Sequence, residues 1–125
     1  MLKHECTVMV IEDSQDLQTL LARVLRDDGY AVECASGGRE ALTKLNGQMP
    51  SLPHVIMLDL MMSDMDGYQF RAAQVQDPRL SQIPVIIMTA DGNIRGKSDS
   101  LKANAYLKKP FAGIEDILQT VARFC

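Results

Sequence analysis

The chain has 125 residues, of which 46% are hydrophobic and 23% are charged, and its formal net charge at pH 7 is −3. This size and composition predict one globular domain over residues 1–125, and the acidic balance argues against direct binding to nucleic acid or to an anionic membrane, which needs a basic surface. The apolar runs are too short to span a bilayer and the N-terminus lacks the layout of a signal peptide, so we expect a cytoplasmic protein without a membrane anchor.

Strand-like runs and amphipathic helical segments alternate from the start of the chain. The run Cys6 to Ile11 (CTVMVI) predicts a first strand, and a helix follows that Ser14 caps and Gly29 ends. The helix is indicated by an apolar stripe at helical spacing, formed by Leu17, Leu20, Leu21, Val24 and Leu25. A second strand is predicted over Ala31 to Ala35, and a short helix follows Gly38.

The third strand carries the first candidate for function. Val55 to Asp59 reads VIMLD, a short unbroken apolar run that is typical of a strand buried on both faces of a sheet. Asp59 then lies at the carboxyl end of this strand. Since open α/β sheets bind ligands at the carboxyl ends of their strands, we expect Asp59 to have a chemical role.

The second half of the chain continues the alternation. A third helix is predicted from Gly67 to about Asp77, a fourth strand over Val85 to Met88 and a fifth over Ala105 to Lys108. A terminal amphipathic helix is marked by Ile114, Ile117, Leu118 and Val121. The alternation also places a helix within Asp91 to Asn104, which we expect to be short or labile because glycine and serine are poor helix formers. Five strands alternating with five helices predict a doubly wound parallel sheet with helices on both faces.

The three cysteines give no sign of a structural cross-link. Cys6, Cys34 and Cys125 are odd in number and show no CxxC spacing, so we predict neither a disulfide framework nor a zinc site. Cys6 and Cys34 are interpreted as small apolar residues of strands.

Three carboxylates are predicted to meet at the carboxyl edge of the sheet. Glu12 and Asp13 directly follow the first strand and Asp59 ends the third, and these two strands can be neighbours at a topological switch point. Like charges at short range oppose one another's ionisation, and a hard divalent cation with oxygen ligands relieves that cost. We therefore expect a Mg²⁺ site, which Mn²⁺ can also fill. From spacing alone, a solvated loop in which the first two acids only cap the helix remains open.

A hydroxyl and an ammonium group are expected at the same edge. Thr89 directly follows the predicted fourth strand and Lys109 the fifth. Phosphoryl transfer to a carboxylate needs a nucleophile, positive charge near the equatorial oxygens and hydrogen-bond donors around them. Singly, Thr89 is equally explained as a strand-end residue, and Lys109 is better explained as a surface charge. Together with Asp59 and a cation, they favour a phosphoryl-transfer site.

Four segments resemble, in order and spacing, the receiver domains of two-component response regulators. They read VMVIEDS, VIMLDLMMSDMDG, VIIMTA and AYLKKPF, and the similarity covers essentially the whole chain. The resemblance implies the fold of the bacterial chemotaxis regulators, a flavodoxin-like sheet of strand order 2-1-3-4-5. It also implies a phosphorylation-dependent signalling switch rather than a turnover enzyme.

The resemblance gives a role to each acidic residue of the predicted site. Asp59 is implied to accept a phosphoryl group from a histidine kinase or a phosphotransfer protein and to lose it again by self-dephosphorylation. The cation ligands are implied to be Glu12, Asp13, Asp59 and the backbone carbonyl of Met61. Glu12 stands where the family often has Asp, and its longer side chain is expected to affect cation affinity rather than function.

Further implied roles concern the response to phosphorylation. Thr89 resembles the switch residue whose hydroxyl contacts the phosphoryl group, Lys109 the lysine that pairs with it, and Tyr106 the switch aromatic that turns inward. The output face is implied to consist of the fourth helix, the fifth strand and the fifth helix, read by an unidentified downstream protein. The analogy also implies a cis peptide bond from Lys109 to Pro110. Lys102 occupies a position where the family commonly has Gly, so we expect Asn104 to supply the left-handed residue there.

Other classes of protein remain as alternatives. A pseudo-receiver would keep the fold as an interaction module without phosphorylation. A metal-dependent phosphatase of the haloacid-dehalogenase type needs a DxD pair, which Asp59, Leu60 and Met61 do not supply. A flavodoxin-like nucleotide binder needs a glycine-rich phosphate loop after the first strand, where this chain has Glu12 and Asp13.

Overall fold

Five parallel strands form one sheet in the order 2-1-3-4-5, counted along the chain, which confirms the predicted fold class. The computed structural model describes residues 1–90 and 101–125. Within these residues the strands are β1 (Thr7–Ile11), β2 (Ala31–Ala35), β3 (Val55–Asp59), β4 (Val85–Thr89) and β5 (Ala105–Lys108). The register places Ile11 beside Leu58, so the carboxyl ends of β1 and β3 lie level with each other.

Four helices are described: α1 (Gln15–Asp27), α2 (Gly38–Thr43), α3 (Gly67–Gln76) and α4 (Ile114–Ala122). Ser14 caps α1 as predicted, because its side chain accepts a hydrogen bond from the Leu17 N–H (3.3 Å). Such a cap stabilises a helix by about 1 kcal/mol. Gly29, at φ +107°, follows the end of α1. Of the helix predicted within Asp91 to Asn104, residues 91–100 lie outside the described part.

The sheet is buried on both faces, as the apolar runs predicted. Every residue of β3 and of β4 is buried. Alternate strand residues belong to two separate apolar clusters on opposite faces of the sheet. Met57 lies in the cluster covered by α1 and α4, and Leu58 lies in the cluster covered by α2 and α3. The helices cover these clusters with buried side chains, among them Leu21, Leu25, Phe70, Ile117 and Val121. Burying an aliphatic or aromatic side chain of this size contributes about 2 kcal/mol.

The prediction about cysteines was wrong for one pair. Cys6 and Cys125 form a disulfide, with Cα atoms 5.9 Å apart, a separation that suits this bond. Cys6 is fully buried before β1, and Cys125 packs against the apolar cluster under α4. The two residues are 119 positions apart, so no local spacing indicates the pairing. Cys34 is a free, half-buried thiol, and burial raises its pKa.

The left-handed residue before β5 is Lys102, and not Asn104 as the sequence suggested. Lys102 has φ +50°. Asn104 instead pairs twice with Val85, since its N–H donates to the Val85 carbonyl (2.9 Å) and its side-chain oxygen accepts from the Val85 N–H (2.9 Å). Asn104 therefore joins the start of β4 to the start of β5 and does not adopt the left-handed conformation.

No helix within residues 1–90 and 101–125 has both the length and the apolar character needed to cross a bilayer.

Candidate functional site

The carboxyl edge of the sheet brings together the three acids predicted from the sequence. Glu12 follows β1 and Asp59 ends β3, and because these strands are neighbours, the two side chains meet beside Asp13. One carboxylate oxygen from each residue lies within 4.8 Å of the others. Three convergent carboxylate oxygens are the donor set that a hard divalent cation prefers. The residues present therefore fit a Mg²⁺ or Mn²⁺ site.

Burial makes it costly for the carboxylates of this cluster to carry negative charge. Glu12 is 1% exposed and Asp59 is 4% exposed, whereas Asp13 is open to solvent. Burial raises the pKa of the Glu12 carboxyl above its ordinary 4.5, and a hydrogen bond with Asp59 raises it further; Lys109 only partly opposes these effects. A buried carboxyl beside another carboxyl binds a proton more readily than it would in water.

Lys109 supplies the positive charge of the site. Its Nζ lies 2.6 Å from Glu12 Oε1 and 3.3 Å from Asp59 Oδ2. Burial lowers the pKa of the ammonium group, but the hydrogen bond to Glu12 and the charges of Asp59 and Glu12 outweigh it, so the pKa lies above 10.5. Lys109 is therefore charged at neutral pH. The peptide bond to Pro110 is cis, as the resemblance implied.

We expect the stability of the cation-free protein to depend on pH through Glu12. Because its pKa is raised, the folded state keeps a proton at pH values where the unfolded chain has lost it. This stabilising effect is fully present below the unfolded pKa and is lost as the pH rises through the folded pKa. Urea unfolding in a chelating buffer should show Glu12→Gln gaining stability relative to wild type as the pH increases. Parallel pH curves for the two proteins would contradict the expectation.

Thr89 and Tyr106 occupy the positions predicted for them along the sheet. Thr89 ends β4 and is 3% exposed, and its carbonyl accepts a hydrogen bond from the Lys109 N–H (2.8 Å). Tyr106, in β5, is half-buried and packs against the apolar cluster under α2 and α3. The backbone N–H of Met61 donates to Asp59 Oδ1 (3.2 Å), while the Met61 side chain is 75% exposed. The predicted role of the Met61 carbonyl stays a prediction.

Ser14 and Gly67 also contribute to the site, in ways that the sequence did not predict. The Ser14 N–H donates to Glu12 Oε2 (3.3 Å), so the residue that caps α1 also orients an acid of the cluster. Gly67, the first residue of α3, packs directly against the end of β3: a Cβ there would lie 2.8 Å from the Asp59 carbonyl oxygen and from Leu60 Cα. The DG pair of the sequence signals this turn but not the contact.

Replacing Gly67 with Ala should therefore destabilise the fold at the site. The added methyl group meets backbone atoms that cannot turn away, and overpacking of this kind costs about 1–3 kcal/mol. We expect that decrease in the free energy of unfolding, measured in urea. Gly113→Ala is the matched control, since a Cβ at Gly113 has no neighbour within 4 Å. Its cost should stay below about 1 kcal/mol, and equal costs for the two variants would rule out the close contact as the cause.

An apolar groove of about 560 Å³ lies beside Lys109. It runs between α1 and α4, and its lining includes Leu17, Leu20, Phe111, Ile114 and Ile117. Leu20 is 50% exposed and Ile114 is 56% exposed. Large apolar side chains that line an open groove are typical of surfaces that bind a partner.

Comparison with known proteins gives a consistent result. The family model described as the response regulator receiver domain matches residues 8–122. The transcriptional regulatory protein CssR of Bacillus subtilis is 34% identical over 116 residues, which are 90% of this chain and 48% of CssR. The response regulator MprA of Mycolicibacterium vanbaalenii is 33% identical over 89% of this chain and 46% of its own length. The chain thus spans about half the length of these relatives.

Solved structures resemble the fold over nearly the whole chain. The chemotaxis response regulator CheY4 of Vibrio cholerae has a TM-score of 0.85 at 30% identity, covering 96% of this chain and 98% of its own. The response regulator TrrA of Thermotoga maritima, solved in complex with Mg²⁺ and BeF, has a TM-score of 0.82 at 22% identity, covering 96% of this chain and 99% of its own. At that identity the second likeness concerns the fold alone.

Proposed function

This chain belongs to the response regulator receiver domain family, and from that premise we propose that it is a signalling switch in which Asp59 accepts a phosphoryl group. Receiver domains are signalling switches and not turnover enzymes, and they partner with histidine kinases or phosphotransfer proteins. The proposal assigns this chain a phosphohistidine donor, a cytoplasmic location and loss of the phosphoryl group by self-dephosphorylation. We also propose that this chain acts on an unidentified downstream protein and makes no direct contact with nucleic acid.

One observation carries the proposal: the Lys109 ammonium group lies 3.3 Å from Asp59 Oδ2 at the ligand-binding edge of the sheet. In the transfer, the N–P bond of the donor breaks as a bond forms between phosphorus and an Asp59 oxygen. The imidazole of the donor leaves. Lys109 neutralises charge on the transferred group, and the Thr89 hydroxyl is proposed to donate a hydrogen bond to one of the phosphoryl oxygens.

The acidic cluster supports a divalent cation as the cofactor, Mg²⁺ or alternatively Mn²⁺. We assign its ligands to Glu12, Asp13, Asp59 and the Met61 carbonyl. When bound, the cation supplies positive charge to the phosphoryl oxygens. In this structure Lys109 Nζ lies against Glu12 Oε1 (2.6 Å), so Lys109 would compete with a bound cation for the same carboxylates.

Replacing Lys109 with Met should therefore tighten cation binding. The variant removes a positive charge that lies within 3.3 Å of two carboxylates, and we expect Mg²⁺ affinity to rise by roughly tenfold. Isothermal titration of both proteins at the same pH measures it. Lys108→Met is the control, since Lys108 is exposed one position earlier on the chain. Unchanged affinity in Lys109→Met would mean that the ammonium group does not compete with the cation.

The response to phosphorylation is proposed to run from Thr89 to Tyr106. Thr89 moves toward the phosphoryl group and Tyr106 turns inward, which shifts the population toward an active state. The output face comprises the segment 91–104, β5 and α4. Tyr106 is half-buried, so its ring can report such a change.

The apolar groove between α1 and α4 supports a docking site for the phosphodonor protein. Lys109 contributes to the groove and also contacts Asp59, so a protein bound there has access to the phosphoacceptor. Exposed Leu20 and Ile114 offer it apolar area. We propose that the donor protein covers these residues during transfer.

The function is tested by incubating the protein with acetyl phosphate and measuring its intact mass, with and without Mg²⁺. A single phosphoryl adduct that depends on Mg²⁺ is the expected result. If no adduct forms, titration with beryllofluoride and Mg²⁺ decides between a receiver that needs its own kinase and a pseudo-receiver. Binding of beryllofluoride supports the first and its absence the second.

A further inference from the structure

The helix α3 carries a buried arginine, Arg71. Arg71 is 7% exposed, and its guanidinium group is held by uncharged acceptors. Nε donates to the Leu101 carbonyl (2.8 Å), one terminal nitrogen to the Lys102 carbonyl (2.9 Å) and the other to Gln74 Oε1 (2.8 Å). A buried cation is costly unless its donors are satisfied, so this arrangement needs all three contacts.

Gln74 fixes the guanidinium group from behind. Its side chain is fully buried, and while Oε1 accepts from Arg71, Nε2 donates to the carbonyls of Leu80 (3.0 Å) and Ile83 (3.1 Å). These carbonyls belong to the connection between α3 and β4. The pair therefore joins α3 to that connection and to the turn before β5, and a fully satisfied buried network of this kind holds one geometry.

The turn that Arg71 holds has an unfavourable backbone conformation. Lys102 has φ +50°, a left-handed geometry that its Cβ disfavours and that glycine adopts freely. The carbonyls of Leu101 and Lys102, one on each side of the Lys102 Cα, both accept from the same guanidinium group. Two hydrogen bonds from one rigid, planar donor thus compensate for a lysine at a position suited to glycine.

The turn leads directly into the parts of the sheet that carry the switch and the site. Asn104 joins it to Val85 at the start of β4, β5 begins at Ala105 with Tyr106 next, and Lys109 follows β5. We propose that Arg71 is a positioning residue, which holds the Leu101–Lys102 turn and so fixes the entry to β5 while Thr89 responds to the phosphoryl group. The second part of this role rests on the proposed function; the first does not.

Hydrogen exchange of the cation-free protein tests the first part. In Arg71→Met, which keeps a long apolar stem, the amides of residues 101–107 should exchange roughly tenfold faster or more, with β1 and β3 unchanged. Arg79→Met is the matched control, because Arg79 also donates to a backbone carbonyl, that of Leu45 (2.9 Å), but at the surface. It should leave residues 101–107 unaffected. A uniform increase over all strands, or no local increase, would overturn the proposal.

A rescue experiment separates the specific role from general support of the core. Adding Lys102→Gly to Arg71→Met removes the backbone conflict that Arg71 compensates, so exchange at residues 101–107 should return to within about threefold of wild type. Lys102→Gly alone should not accelerate exchange there. Failure of the double variant to recover would refute the role assigned to Arg71.

Beryllofluoride with Mg²⁺ tests the second part. Wild type and Arg71→Met should bind this probe with affinities within about threefold of each other, since Arg71 lies outside the site. Binding of beryllofluoride should protect the Tyr106 amide from hydrogen exchange less in Arg71→Met than in wild type. Equal protection would overturn the link to the switch. Failure of wild type to bind would contradict the proposed function, whereas the cation-free exchange result would still decide whether Arg71 holds the turn.

Discussion

Asp59→Asn is expected to abolish the phosphoryl adduct completely. The amide keeps the shape of the carboxyl group but lacks the anionic oxygen that attacks phosphorus. Asp59 is 4% exposed at the end of β3, with Oδ1 bonded to the Met61 N–H and Oδ2 facing Lys109. The amide oxygen can still accept from the Met61 N–H, so we expect the variant to fold although the ion pair with Lys109 is lost. Intact mass after incubation with acetyl phosphate and Mg²⁺ measures the loss.

Asp64→Asn is the matched control for this experiment. Asp64 lies in the loop that follows β3, is exposed to solvent, and bonds the Met65 N–H (2.6 Å). It should be phosphorylated like wild type. An adduct of unchanged yield in Asp59→Asn would place the phosphoacceptor on another residue, which peptide mapping of that adduct would identify.

Reduction of the Cys6–Cys125 disulfide is expected to lower the free energy of unfolding by about 5 kcal/mol. A cross-link between residues 119 positions apart restricts nearly the whole unfolded chain, and in the chain-entropy model such long loops give an effect of that size. The Cα separation of 5.9 Å lies within the range found for disulfides. Urea unfolding with and without dithiothreitol measures the change.

Two variants show whether this bond is responsible. Cys125→Ser should be insensitive to dithiothreitol and as unstable as reduced wild type, whereas Cys34→Ser should respond like wild type because Cys34 is a free thiol. Intact mass under non-reducing conditions should also show a protein lighter by two hydrogen atoms. Identical unfolding curves for oxidised and reduced wild type would contradict the stabilising role of the bond.

The fold was predictable because its local signals agree with one another. The apolar run at Val55 to Asp59 and the alternation of strands and helices were enough for a parallel sheet, and Ser14 and Gly29 correctly marked the ends of α1. The resemblance supplied the order of the strands. The acidic cluster could be expected because Glu12 follows β1 and Asp59 ends β3, and this order makes the two strands neighbours.

Features that depend on distant backbone geometry were not predictable in this way. The pairing of Cys6 with Cys125 needs the positions of both ends of the fold. Burial of Arg71 could not be predicted either, because an arginine on a helix normally reaches solvent. Its position is explained by acceptors on Leu101, Lys102 and Gln74. Contacts between side chains and remote backbone leave no periodic pattern in the sequence.

The all-parallel sheet also determines how the chain can reach its native state. Each described strand pair is separated by a crossover, and even the pair closest in sequence joins Ile86 of β4 to Ala105 of β5. The chain must therefore close a loop before it gains any interstrand hydrogen bond, which makes folding slower than in a helical bundle of equal length. Because α1 has its own capping signals and links β1 to β2, we expect refolding to nucleate in this first crossover.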